Sequence, residues 1–156
     1  MGLFMKYPGL QGDSTEKGFE NWITLTSVTF GTNRNVAAAV GSTKSREAST
    51  PTISDVTVTK LLDASSAGLF RASVTLGQGQ TVQIAFTKTG GGTYLAYTLS
   101  EVIIAGYMIN TTGERPVETV KISCAQFQMT VTATDSSNNP IAPMTTGYDL
   151  AQNTAI

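Results

Sequence analysis

The sequence predicts a mainly β protein, a closed or nearly closed two-sheet β-barrel with one short α-helix on its side and a long extended loop. Three observations carry this. Six stretches alternate apolar and polar residues with the period of a strand, and only one stretch shows the three- and four-residue apolar spacing of a helix. The long strands also change phase midway, which implies bulges, and bulged strands bend so that a sheet can close.

Taken in order, Leu3 to Tyr7 is a short first strand closed by the turn residues Pro8 and Gly9, followed by a polar loop from Gln11 to Gly18. In Glu20 to Phe30, Ile23 and Leu25 keep one phase while Val28 and Phe30 keep the other, so the bend falls near Thr26 and Ser27. Gly31 to Pro51 has no sustained period and reads as a long loop; loops of this length in a domain are either disordered or functional. Val56 and Val58 open the next strand, and Asp63 offers a side-chain oxygen to a helix start, predicting a helix over Ala64 to Leu76 that Gly77 terminates. Its stripe is Leu69, Ser73 and Leu76 with Phe70 and Ala72.

Thr81 to Lys88 alternates cleanly, with Val82, Ile84 and Phe86 on one face; Gly90, Gly91 and Gly92 then permit a hairpin into the long strand Thr93 to Ile109, kinked at Ser100 or Glu101. In Val117 to Thr134 the phase of Val120, Ile122 and Cys124 gives way to that of Phe127, Met129 and Val131, which puts a second bulge near Cys124 and Ala125. Asp135 to Pro143 is loop, and the tail around Tyr148 and Leu150 has two apolar side chains with which to dock.

The length of 156 residues suits a single domain over 1–156 that buries a core without staples. A net charge of −1 supplies no field for nucleic acid or an anionic membrane, and at 13% charged residues the surface is neutral and polar, a character that suits repeated self-contact. The lone Cys124 rules out an internal disulfide and reads as a small core residue; without histidine there is no serine or cysteine triad of the usual kind, and no cofactor is expected. Lys88 to Thr93 is glycine-rich but lacks the ending of a phosphate loop. Glu114 and Glu118, four apart around Pro116, read as solvated charges and not as an acid/base pair. The opening residues lack the pattern of a signal peptide and no run reaches membrane-spanning length, so folding in the cytoplasm and no membrane insertion are expected.

Several ordered segments resemble the hemolysin-coregulated protein family, the tube proteins of bacterial type VI secretion systems. They are Lys6-Tyr7-Pro8-Gly9-Leu10-Gln11-Gly12-Asp13-Ser14, Trp22-Ile23, Val58-Thr59-Lys60-Leu61-Leu62-Asp63 running into Leu69-Phe70, Leu99-Ser100-Glu101-Val102-Ile103-Ile104, Arg115-Pro116-Val117-Glu118, and Gly147-Tyr148-Asp149-Leu150 with Asn153. The chain departs from the family in having Phe19-Glu20-Asn21 before Trp22, where members often carry histidine, and Tyr148 where tryptophan is more frequent.

The resemblance implies a non-enzymatic subunit that forms six-membered rings, stacks them into the inner tube of the secretion system, and leaves the cell without a signal peptide. Its partners would be further copies of itself, the sheath, spike and baseplate proteins, and small effector proteins in the lumen. On that reading Arg34, Ala37, Ala38, Ala39, Val40, Lys44 and Arg46 of the long loop are candidates for gripping the next ring, with Asp13, Glu16 or Glu20 as acidic counterparts. Thr29, Thr111 and Thr112 are candidate lumen-facing residues, since a tube that releases cargo needs small polar groups there. A phage tail-tube protein is the nearest alternative. A secreted carbohydrate-binding β-module is the other, and one tryptophan with five scattered tyrosines speaks against it.

Overall fold

The fold is built around one strand that belongs to two sheets. The computed structural model describes residues 1–38, 46–48, 50–75, 79–89 and 92–156, with backbone alone at 37–38 and 46–48. Fourteen strands and one helix are assigned among these residues, beginning with β1 (Gly2–Lys6), β2 (Ile23–Thr24) and β3 (Ser27–Thr29). The region that follows holds β4 (Thr32–Asn33), β5 (Val36–Ala38), β6 (Arg46–Ala48) and β7 (Thr52–Ile53). Next come β8 (Val56–Leu61), the helix α1 (Ser66–Val74), β9 (Gln80–Thr87) and β10 (Thr93–Asn110). Completing the chain are β11 (Val117–Ser123), β12 (Gln126–Val131), β13 (Met144–Asp149) and β14 (Thr154–Ala155).

The N-terminal half of β10 pairs antiparallel with β9 and β12, and its C-terminal half with β11. The change of sheet falls at the expected kink: Glu101 has φ 54, rare for a residue with a Cβ, and the β9 register slips between Leu99 and Val102. On the opposite side the chain leaves β11 and enters β12 across Cys124 and Ala125, with the Ala125 amide bonded to the Ser100 carbonyl at 3.0 Å. The predicted kink of β10 and the second predicted bulge therefore sit at one corner, where the outer neighbour of β10 switches from β11 to β12.

The first sheet runs β2-β1-β9-β10-β12-β13-β14 and the second β10-β11-β8-β3. The expected barrel does not close. β2 and β3 are the two halves of the bent second strand, but β2 pairs with β1 and β3 with β8. Leu25 and Thr26 between them contribute one bond to each side, Leu25 N–H to the Leu3 carbonyl at 2.8 Å and Thr26 N–H to the Thr59 carbonyl at 2.7 Å. The bend that turns the chain from one sheet to the other also interrupts the ladder, so the sheets stay open.

The core lies between the sheets, where Met5, Ile23, Val58, Ile84, Leu99, Val120 and Ile122 are buried. The inner phases of β8, β9 and β11 are the ones that alternation predicted. The helix is shorter than expected: Ser65 is its N-terminal cap, and Asp63 instead accepts from the Ser65 amide at 2.9 Å, closing a turn two residues ahead of the cap. Leu69 enters the core while Phe70 stays largely exposed. Leu76 and Gly77, the expected helix end, lie outside the described residues, as do Gly90 and Gly91. The hairpin between β9 and β10 is present, with Gly92 at φ 93 and Lys88 N–H bonded to its carbonyl at 3.2 Å.

Candidate functional surfaces

The stretch 31–51 is not the structureless loop that its composition suggests. β4 pairs with β7, and β5 with β6 in the register Val36↔Ala48, Ala37↔Glu47, Ala38↔Arg46, so a two-stranded ribbon leaves the body after β3 and returns before β8. Serine and glycine close its base: Gly31 N–H donates to Ser54 Oγ and Ser54 N–H to the Gly31 carbonyl, both at 2.9 Å. Arg34 and Val36 are exposed at the root. Ala39, Val40 and Lys44 lie outside the described residues, and of Ala37, Ala38 and Arg46 the backbone alone is described.

Thr29 is exposed on β3, on the face opposite Val28, and it belongs to a broader hydroxyl-bearing face. Register places Ser27 beside Thr59 and Thr29 beside Thr57, then Thr59 beside Thr119 and Thr57 beside Lys121. Hydroxyls of Thr26 and Ser27 each share a 2.6 Å hydrogen bond with the Thr59 hydroxyl. Thr111 and Thr112 are exposed beyond the end of β10, with the Thr112 amide on Asn110 Oδ1 at 3.1 Å. Since the Thr29 row crosses β10 at Gly106, the two loci stand about 17 Å apart along the strands and form no single cluster.

Beneath the start of α1 lies a group the sequence reading missed. Lys60 and Glu118 are both completely buried, directly opposite each other on β8 and β11, with Lys60 Nζ 2.6 Å from Glu118 Oε1. The lysine ammonium also meets Asp63 Oδ1 and the Leu61 carbonyl, each at 3.0 Å. Ser66 donates its hydroxyl to Glu118 Oε1 at 2.5 Å, and the Tyr107 hydroxyl donates to Glu118 Oε2. Burial first, and then the bond to Glu118, push the Tyr107 hydroxyl well above the usual tyrosine range, so it stays a proton donor. Only Asp63 Oδ2 is buried without a partner among the described residues.

Glu118 is therefore not a solvated charge. The signal was present in the alternation: Lys60 is in phase with Val56 and Val58, and Glu118 with Val120 and Ile122, so period 2 aims both inward. With every oxygen of Glu118 and the ammonium of Lys60 engaged, the cluster locks α1 to the second sheet. Among the described residues no three His, Cys, Asp or Glu side chains converge as a metal site. Cys124 is half-buried against the core, and burial, with Asp55 nearby, pushes its thiol up to about 11, away from reactive thiolate.

A second ionic contact is exposed. Arg115, in the turn between β10 and β11, donates from Nε and Nη2 to the Leu62 carbonyl at 3.0 and 2.6 Å, and Nη2 lies 3.2 Å from Asp13. It ties together the first loop, the approach to α1 and the β10–β11 turn. Of the three acids considered as counterparts for a neighbouring ring, Asp13 thus already has a partner within its own chain, and Glu20 accepts the Gly18 amide at 3.0 Å.

The family model described as "Type VI secretion system effector, Hcp" matches residues 4–131. No curated protein matches the chain. Among solved structures, a type six secretion system protein superposes with a TM-score of 0.91 at 20% identity, covering 99% of each chain. Hcp1 from Salmonella typhimurium gives 0.80 at 20% identity over 99% of this chain and 98% of the other. A type VI secretion system effector from Yersinia pestis gives 0.68 at 21% identity over 94% and 98%. At these identities the structural likeness speaks for the fold, and the sequence match over most of the chain for the family.

Proposed function

The chain belongs to the Hcp family and is a structural tube subunit of a type VI secretion system; on that premise we propose that it acts as a single-domain, non-enzymatic building block of six-membered rings that stack into a tube. The observation that carries the reading is the family match over residues 4–131. Open sheets support it, because unpaired edges invite uncontrolled pairing unless a neighbour covers them. Sheath, spike and baseplate proteins are the partners this reading assigns, with small effectors in the lumen.

In this proposal the ribbon grips the adjoining ring through Arg34, Ala37, Ala38, Ala39, Val40, Lys44 and Arg46, and Thr29, Thr111 and Thr112 face the lumen. The ribbon suits that role because it pairs with itself. The hydroxyl face around Thr29 suits a passage that must not hold cargo too firmly, since it offers many small polar groups and one lysine. Native mass measurement and electron microscopy of the purified protein test the ring: six-subunit rings are expected, and a monomer at high concentration overturns it. Replacing residues 36–48 by a short Gly-Ser connection is expected to leave the rings and abolish tube growth and secretion; long tubes from that variant would remove the ribbon from stacking. Thr29→Arg is expected to preserve rings while weakening retention of an effector, and unchanged co-purification would take Thr29 out of the lumen.

A further inference from the structure

The ribbon that leaves the body after β3 consists of two ladders that do not share one register. In the inner ladder Thr32 pairs with Ile53 and Asn33 with Thr52; in the outer one Val36 pairs with Ala48, Ala37 with Glu47 and Ala38 with Arg46. Between the pairs Asn33↔Thr52 and Val36↔Ala48 the outgoing strand holds two residues and the returning strand three. An excess of one residue on one strand of an antiparallel pair interrupts the ladder at that point and bends it. Accordingly β4–β7 and β5–β6 are two separate two-stranded sheets.

Local chemistry keeps this joint open. Extended by one step, the inner register would set Arg34 opposite Pro51. Pro51 has no N–H to donate, and the Arg34 N–H is taken by Asn33 Oδ1 at 3.0 Å, a local bond that competes with the ladder. On the body side the ribbon is tied down: besides the two bonds between Gly31 and Ser54, the Thr52 hydroxyl donates to the Asn33 carbonyl at 3.1 Å, and Ile53 packs against the core. Beyond the joint, β5 and β6 pair with each other alone. An anchored base, a step with neither amide available to the ladder, and a self-paired outer ladder are the parts of a hinge, where a few residues absorb a change of backbone angle while the pieces on either side keep their structure.

We propose that the offset between β4–β7 and β5–β6 is a hinge at which the outer ladder swings relative to the body when one ring docks on a second copy of the ring. The proposal rests on the reading that the ribbon grips the adjoining ring, and it adds how one chain serves both the isolated ring and the tube. Because the offset already interrupts the ladder, a change of angle there leaves both ladders paired. A continuous two-stranded ribbon would resist the same bend, since its cross-strand bonds would have to lengthen or break.

The test uses the full chain carrying Cys124→Ala, with nitroxide labels on Gln128→Cys in β12 and Glu47→Cys in β6, and a control pair on Gln128→Cys and Thr32→Cys in β4. Labelled subunits are diluted into unlabelled chain so that pulsed electron resonance reads distances within one subunit. Between isolated rings and stacked tubes the outer distance is expected to shift by about 5 Å, which a bend of roughly 30° gives over a lever of about 10 Å, while the control distance stays fixed. Deletion of Thr50 removes the excess residue: rings are expected to persist by native mass measurement, the outer distance distribution to narrow, and tube growth seen by electron microscopy to be lost. An outer distance that is the same in rings and tubes overturns the hinge, as does normal tube growth by the Thr50 deletion; either result leaves the ribbon's role in stacking standing. Equal shifts of both distances also overturn it, because the ribbon would then move as one piece. Tubes grown without residues 36–48, or a chain that forms no tubes, remove the stacking role and the hinge with it.

Discussion

The inner faces of the two sheets carry unlike contents at opposite ends of β8. Toward Val56, Phe30 stacks on Phe127 with ring centroids 4.0 Å apart, and Tyr97 packs against Phe127 at 4.9 Å and edge-on to Phe86 at 5.0 Å. Toward Leu61 the buried contents are Lys60, Glu118 and Ser66, with the half-buried Tyr107 beside them. The aromatic end tolerates small shifts, since dispersion and area depend weakly on angle. The ionic end does not, since each donor must meet its acceptor or leave a buried charge unpaired. One end supplies area and the other sets where the single helix must sit.

The strongest way to break this contrast is Glu118→Ala, which takes from the buried Lys60 ammonium its closer carboxylate and leaves it Asp63 alone. A loss of about 3–5 kcal/mol in urea unfolding is expected. The triple change Lys60→Met, Asp63→Asn and Glu118→Leu sharpens it: stability near the parent is expected, with altered proteolysis around α1, because removing all three charges removes the desolvation penalty along with the positional constraint. If the triple variant is as unstable as Glu118→Ala, the ionic end contributes stability and not placement alone.

At the aromatic end Phe127→Ala is expected to cost about 3–4 kcal/mol through the cavity it leaves, whereas Phe127→Leu costs under half as much. Equal losses for the two would mean that ring stacking, not volume, holds this end. Tyr107→Phe should lower stability by about 1–2 kcal/mol in the same assay by removing one of the bonds to Glu118. The smallest effect is expected for the exposed tie: Asp13→Asn should change stability by less than about 1 kcal/mol, since Asp13 and Arg115 are 47% and 49% exposed, and 0.5 M salt should reduce it further. A larger loss would make Arg115 a structural centre comparable with Glu118.

Much of this architecture is local in origin, and so the chain order of residues was enough to read it. Strand phases, the bend of the second strand, the corner irregularities and the single helix follow from periodicity, because side-chain direction is fixed by backbone geometry one residue at a time. The family, too, was legible in the order of short motifs from Lys6 to Asn153. Tertiary structure decided what periodicity does not contain. Whether the bent second strand completes a barrel depends on which partners its halves find, and β2 and β3 find different ones. The ribbon's pairing of β5 with β6 joins residues eight to twelve positions apart with no alternation to mark them. Lys60 and Glu118 lie 58 positions apart, and alternation aims each inward without naming a partner; they become a buried pair because β8 and β11 meet in a register that sets them face to face, where each makes the other's burial tolerable.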